Sequence, residues 1–111
     1  MMEEIPVYLF TGFLDAGKTK FIQETLEDVR FNNGESTLLL ICEEGEEEYE
    51  PESFSGHNVF IELIDDQSEL TPSNLERLQK KHAVERVVIE YNGMWMLDDL
   101  YQNMPDAWIV Y

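Results

Sequence analysis

Residues Gly12-Phe13-Leu14-Asp15-Ala16-Gly17-Lys18-Thr19 carry the most specific chemistry in the chain. They fit the pattern G-x-x-x-x-G-K-[ST], whose four fixed positions arise by chance in under about 1% of chains this long. Glycines at both ends let the backbone fold into a nest of amide hydrogens that converge on phosphate oxygens. A helix starting at the same point adds its positive end. In such a loop, residues 12–19 hold the phosphates of a nucleoside triphosphate. Lys18 reaches the β- and γ-phosphates, and the Thr19 hydroxyl joins the shell of a magnesium ion. The competing reading is an ordinary glycine-rich strand-to-helix turn. Asp15 is expected to face solvent or cap a local amide.

The loop needs a strand before it and a helix after it. Ile5 to Phe10 is apolar, β-branched or aromatic apart from Pro6, which predicts a strand buried on both faces. From Gly17 to Val29, Phe21, Ile22, Leu26 and Val29 recur at helical spacing and predict an amphipathic helix with these residues inward. Asn32-Asn33-Gly34 breaks it, and Ser36 to Cys42 forms a second apolar run.

The pattern then repeats. Asn58 to Ile64 predicts a third strand. Thr71-Pro72 predicts a helix start, with threonine as N-cap and Leu75, Leu78 and Ala83 on the inner face. Arg86 to Tyr91 predicts a fourth strand, Trp95 to Asn103 a short helix with Leu97, Leu100, Tyr101 and Met104 inward, and Ala107 to Tyr111 a fifth strand.

Continuous apolar strands alternating with helices predict an α/β class, a parallel sheet of about five strands with helices on both faces. Ligands of such sheets bind at the carboxyl ends of the strands. Three segments fall there: Gly12 to Thr19, Glu43 to Glu46, and Glu90 to Gly93.

The chain has 111 residues, a single domain's worth, and 43% hydrophobic residues supply one modest core. Its formal net charge of −17 opposes nucleic-acid wrapping and docking on anionic lipid. An anionic ligand must therefore be captured locally, by backbone amides and a few cations. The longest apolar run, Leu38 to Cys42, is far below the ~20 residues of a spanning helix. The acidic start Met1-Met2-Glu3-Glu4 lacks the features of a secretory signal. A lone Cys42 has no internal disulfide partner and fits a reducing compartment. The expectation is a cytoplasmic protein.

Phe10 to Thr19 resembles the amino-terminal signature of the CobW-like GTPases, relatives of the HypB and UreG metallochaperones. Cys42-Glu43-Glu44-Gly45-Glu46 is similar to that family's Asn-Glu-Phe-Gly-Glu segment. Val87-Val88-Ile89-Glu90-Tyr91-Asn92-Gly93 resembles its apolar-Glu-x-x-Gly form of the Walker B motif. The resemblance implies a P-loop NTPase-type domain that binds and hydrolyses GTP with Mg2+, linked to metal-ion delivery to a metalloprotein client. By position, Glu90 would sit by the magnesium directly or through water, with Gly93 closing that motif. Glu43 and Glu46 would belong to a segment sensing the γ-phosphate. Glu43, Glu44 and Glu46 are alternatives for orienting water. The bland alternative for Glu90 is a strand-end carboxylate in solvent.

Two departures qualify the resemblance. The family's Cys-x-Cys-Cys motif is absent, so thiophilic metal transfer by that motif is unsupported, and no Asn-Lys-x-Asp sequence is present to read guanine. The family pattern also implies further strands and a base-specificity loop, so the expectation is the amino-terminal portion of a longer domain. A minimal five-strand domain is the competing reading.

Other features have plainer readings. Glu43 to Glu52 has seven glutamates and reads as a hydrated loop, with hard-cation collection as the alternative. Cys42 and His57 fall short of a zinc ligand set, Cys42 reads as a buried strand residue, and His57 and His82 read as surface residues. Met94-Trp95-Met96 is an adaptable patch for a protein partner or for packing over the sheet edge. The alternatives to a GTPase are a non-hydrolysing nucleotide-sensing or protein-interaction module and a small-molecule kinase.

Overall fold

The computed structural model describes residues 4–11, 16–32, 34–42, 49–50 and 58–110, with the backbone alone for 16–18. Among them the element order is β1 (Ile5–Phe10), α1 (Ala16–Glu27), β2 (Thr37–Ile41), β3 (Val59–Leu63), α2 (Pro72–His82), β4 (Arg86–Glu90), α3 (Leu97–Asn103) and β5 (Trp108–Val110). A 3-10 turn, Gln67–Glu69, is held by reciprocal capping between Asp66 and Glu69. The strands form one sheet in the order β3-β2-β4-β1-β5, and every pairing is parallel. The class is α/β, and the sheet is consistent with a small P-loop NTPase-type sheet.

Two apolar layers follow from the alternation of side chains along each strand. On one face Val7, Leu38, Leu40, Val87 and Ile89 pack with Leu75 and Leu78 of α2 and Leu100 of α3. On the other, Leu39 and Val88 pack with Ile22 and Leu26 of α1. Helices thus cover both faces. Each of these side chains is almost wholly buried, and each burial contributes roughly 1.5–3 kcal/mol.

Several inward assignments are corrected. Phe21 and Val29 are 59% and 65% exposed. Helix α1 ends at Glu27, so Val29 lies in the following turn, outside the helical stripe. Phe21 sits to one side of that stripe and reaches Phe10 only by a tilted ring contact, 5.7 Å between centroids. The turn is closed by Asn32, whose buried side chain donates to the Leu26 carbonyl at 3.1 Å. Gly34 follows with φ +98°, a conformation side chains rarely adopt.

Thr71 caps α2 as its type predicts, accepting from the Asn74 amide at 3.1 Å, with Pro72 opening the helix. Ala83 is not on the inner face: it is the exposed left-handed C-cap at φ 51°, ψ 48°. His82 is not a free surface residue. Its ring stacks on Phe60 at 4.7 Å, and Nε2 lies 2.7 Å from Glu62. In α3, Leu100 is buried and Met104 packs against the core, whereas Leu97 and Tyr101 are exposed. That helix has seven residues, and the sheet covers only its central inward position. Trp95 lies before the helix, edge-on to Tyr91. Cys42 is buried, one residue beyond β2.

At the amino end of the sheet, Arg86 ties three elements together. Its guanidinium donates to Thr37 Oγ1 at 2.7 Å, the Phe31 carbonyl at 2.6 Å and Asn32 Oδ1 at 3.2 Å, and stands 4.2 Å from the centre of the Phe31 ring. Among the described residues no helix is long and apolar enough to cross a membrane.

Candidate functional site

The carboxyl ends of the central strands are level. Register aligns Phe10 with Glu90 and Glu90 with Ile41, so Glu90 ends β4 between its two neighbours. Period-two alternation puts Glu90 on the same face as Val88, the face covered by α1. On α1, Thr19 precedes Ile22 by three residues and Leu26 by seven, which places it on the helix's sheet-facing stripe. The apolar contact of Ile22 and Leu26 with Val88 therefore continues, one step toward the carboxyl edge, as a polar pair.

That pair is closed and buried. Thr19 Oγ1 donates to Glu90 Oε1 at 2.9 Å, and the two residues are 5% and 2% exposed. The reading of Glu90 as a solvated strand-end carboxylate is overturned by this burial. The Tyr49 hydroxyl donates to the second oxygen, Oε2, so both carboxylate oxygens accept a hydrogen bond. Burial chiefly, and then the hydrogen bond and charge of Glu90, push the Tyr49 hydroxyl far above its ordinary pKa and keep it protonated.

Tyr49 is held from a second direction. The Glu50 amide donates to Gln23 Oε1 at 2.9 Å, and Gln23 Nε2 donates to the Glu50 carbonyl at 3.0 Å. Gln23 lies one helical turn beyond Thr19. One stripe of α1 thus binds both Glu90 and the backbone next to the residue that also binds Glu90.

The expected site residues are distributed as follows. Thr19 and Glu90, the two expected metal ligands, are brought together. Lys18, Ala16 and Gly17 lie in the first turn of α1, where only the backbone is described, and Gly12, Phe13, Leu14, Asp15 and Glu43 lie outside the described residues, as do Glu44 and Glu46. Gly93 lines a cleft of about 410 Å³ with Thr11, Asn92, Trp95 and Met96, on the strand-end side facing α3. His57 and most of the acidic run also fall outside the described residues.

The donor set at Thr19 and Glu90 fits a magnesium ion. One hydroxyl and one carboxylate are hard oxygen ligands, and magnesium is commonly held by one or two carboxylates plus substrate phosphates and retained waters. Among the described residues no group of three or more His, Cys, Asp or Glu is arranged to hold a metal by protein ligands alone. Tyr49 and Gln23 were not foreseen as site residues. The available signal was slight, an aromatic residue interrupting a run of glutamates. No protein family, curated protein or solved structure matches the chain.

Proposed function

We propose that the chain binds a nucleoside triphosphate with Mg2+ at the carboxyl edge of β1 and β4 and hydrolyses it. The observation that supports this most is the buried Thr19–Glu90 hydrogen bond at 2.9 Å. It joins the last residue of the loop pattern to the acidic residue of the Walker B-like segment, as shared service to one ion requires. The parallel sheet, with a strand before the loop and a helix after it, is the context such a loop needs and supports the reading.

In this reading the amides of residues 12–19 cradle the phosphates and Lys18 neutralises charge on the γ-phosphoryl. Thr19 would supply a hydroxyl and Glu90 a carboxylate to a magnesium ion, whose charge would offset that of the phosphates. A glutamate of the Glu43–Glu46 segment orients the attacking water. GTP as the nucleotide, and a task in metal delivery or metalloprotein maturation, rest on the CobW-like motifs alone. Phosphate release over time tests the reading. Release is expected with magnesium and GTP, and loss of release is expected in Lys18→Ala. Release independent of magnesium and Lys18 contradicts it.

One observation favours an additional protein-binding role. Met94 and Met96 are 81% and 65% exposed beside exposed Leu97 and Tyr101. Clustered surface methionine suits an adaptable partner contact.

A further inference from the structure

The exposed apolar residues beside α3 are carried on a pinned turn. The Asn92 side chain accepts from the Met94 amide at 2.8 Å, the Trp95 amide donates to the Asn92 carbonyl at 3.1 Å, and the Tyr91 hydroxyl donates to the Met96 carbonyl at 2.8 Å. Trp95 is also braced edge-on against the buried Tyr91 ring. The main chain that presents Met94 and Met96 is thus held in place while their side chains stand in solvent. A partner meets a preformed site, and little ordering entropy is lost on docking.

Helix α3 extends this surface. Leu97 and Tyr101, four residues apart, share a side of the helix next to the inward Leu100, and both are exposed. The cleft of about 410 Å³ shares Met96 and Leu97 with the patch, and Trp95 and Asp98 also line it. A cleft of that size accepts a large aliphatic or aromatic side chain, the kind of anchor that dominates an interface.

The charge bordering the patch has one sign. Residues 91–104 contain Asp98 and Asp99, both exposed, and no lysine or arginine. Helical spacing sets Asp98 beside the Leu97 and Tyr101 stripe, on the side away from Leu100. A second copy of this chain, at net charge −17, or an anionic bilayer would bring like charge onto like. A segment with lysine and arginine flanking an apolar stripe complements both properties of the surface.

We propose that Met94, Met96, Leu97 and Tyr101, with the adjoining cleft, dock a basic amphipathic segment of a partner protein, which seats one apolar side chain in the cleft and sets its cations against Asp98 and Asp99. This rests on the protein-binding reading of the patch and is independent of nucleotide binding.

The test is calorimetric titration of the full chain with three synthetic helical peptides. One has leucine and phenylalanine at i, i+3, i+4 and i+7 with lysine elsewhere, one keeps those apolar positions with glutamate for lysine, and one keeps the lysines with serine at the apolar positions. The first is expected to bind tightest. Met94→Ser with Met96→Ser is expected to weaken it by about 10-fold or more, and Asp98→Asn with Asp99→Asn by about 3- to 10-fold in low salt, a loss that shrinks as salt rises. Glu24→Gln with Glu27→Gln removes two charges from α1, across the sheet, and is expected to leave affinity within about 2-fold. Equal binding of the lysine–serine peptide, equal losses in the two charge variants, or indifference to the methionine substitutions overturns the proposal. Patch-dependent binding of the glutamate peptide alone overturns the basic partner and keeps the patch as a protein site, whereas binding of none of the three overturns both.

Discussion

Thr19 and Glu90 are 71 residues apart in sequence, yet their side chains share a 2.9 Å hydrogen bond that is buried between α1 and β4. The parallel register makes this possible. Glu90 stands level with Phe10, and the helix that follows β1 returns over the same sheet face. A buried carboxylate deprived of a donor loses about 1–3 kcal/mol, so Thr19→Val is expected to lower unfolding free energy by that amount in chelator, measured by urea denaturation. Stability within a few tenths of wild type would mean that the pair contributes nothing to the fold.

Arg86 holds the opposite end of β4. Its three hydrogen bonds reach a side chain on β2 and two groups in the turn after α1. Arg86→Met keeps most of the buried stem but strands these acceptors, and a loss of about 2–4 kcal/mol is expected in the same assay. An unaltered denaturation midpoint would remove Arg86 from the account of the fold.

Ala83 adopts a left-handed conformation that glycine adopts without cost. Ala83→Gly is therefore expected to stabilise the protein by about 0.5–1 kcal/mol, a rise of a few degrees in Tm. A fall in Tm would show that the methyl group contributes more than the backbone costs.

The Glu62 carboxyl is held below its ordinary pKa of 4.5, first by the hydrogen bond with His82 and then by Lys81. A carboxyl depressed in the folded state adds stability that is fully present above 4.5 and is lost as pH falls through the lower, folded value. The Tm difference between wild type and Glu62→Gln is expected to shrink as pH falls below 4.5. A difference that grows as the solution is acidified would reverse the assignment.

The sheet was legible because each strand is a continuous apolar run bounded by turn residues, as Leu38–Leu39–Leu40 and Val87–Val88–Ile89 illustrate. Helix faces were less so. Val29 continues the helical period but stands beyond the last turn, and Leu97 and Tyr101 belong to a helix that the sheet covers at only one inward position. A 3.6-residue period records which residues share a stripe, not where the helix stops or how wide its cover is. Thr19 and Glu90 were readable as separate motif members, but their contact depends on strand register. Tyr49 was invisible as a site residue because its partners, Glu90 and the Gln23-bound Glu50, come from distant elements with no fixed spacing.

The central claim, that a triphosphate and magnesium are held jointly by the loop and by the Thr19–Glu90 pair, is tested most directly by calorimetric titration of GTP into wild type, Lys18→Ala and Glu90→Gln, with magnesium and with chelator. The account predicts binding by wild type that strengthens with magnesium, loss of most affinity in Lys18→Ala, and loss of the magnesium gain alone in Glu90→Gln. Equal binding by all three proteins, or none by the wild type, would contradict it.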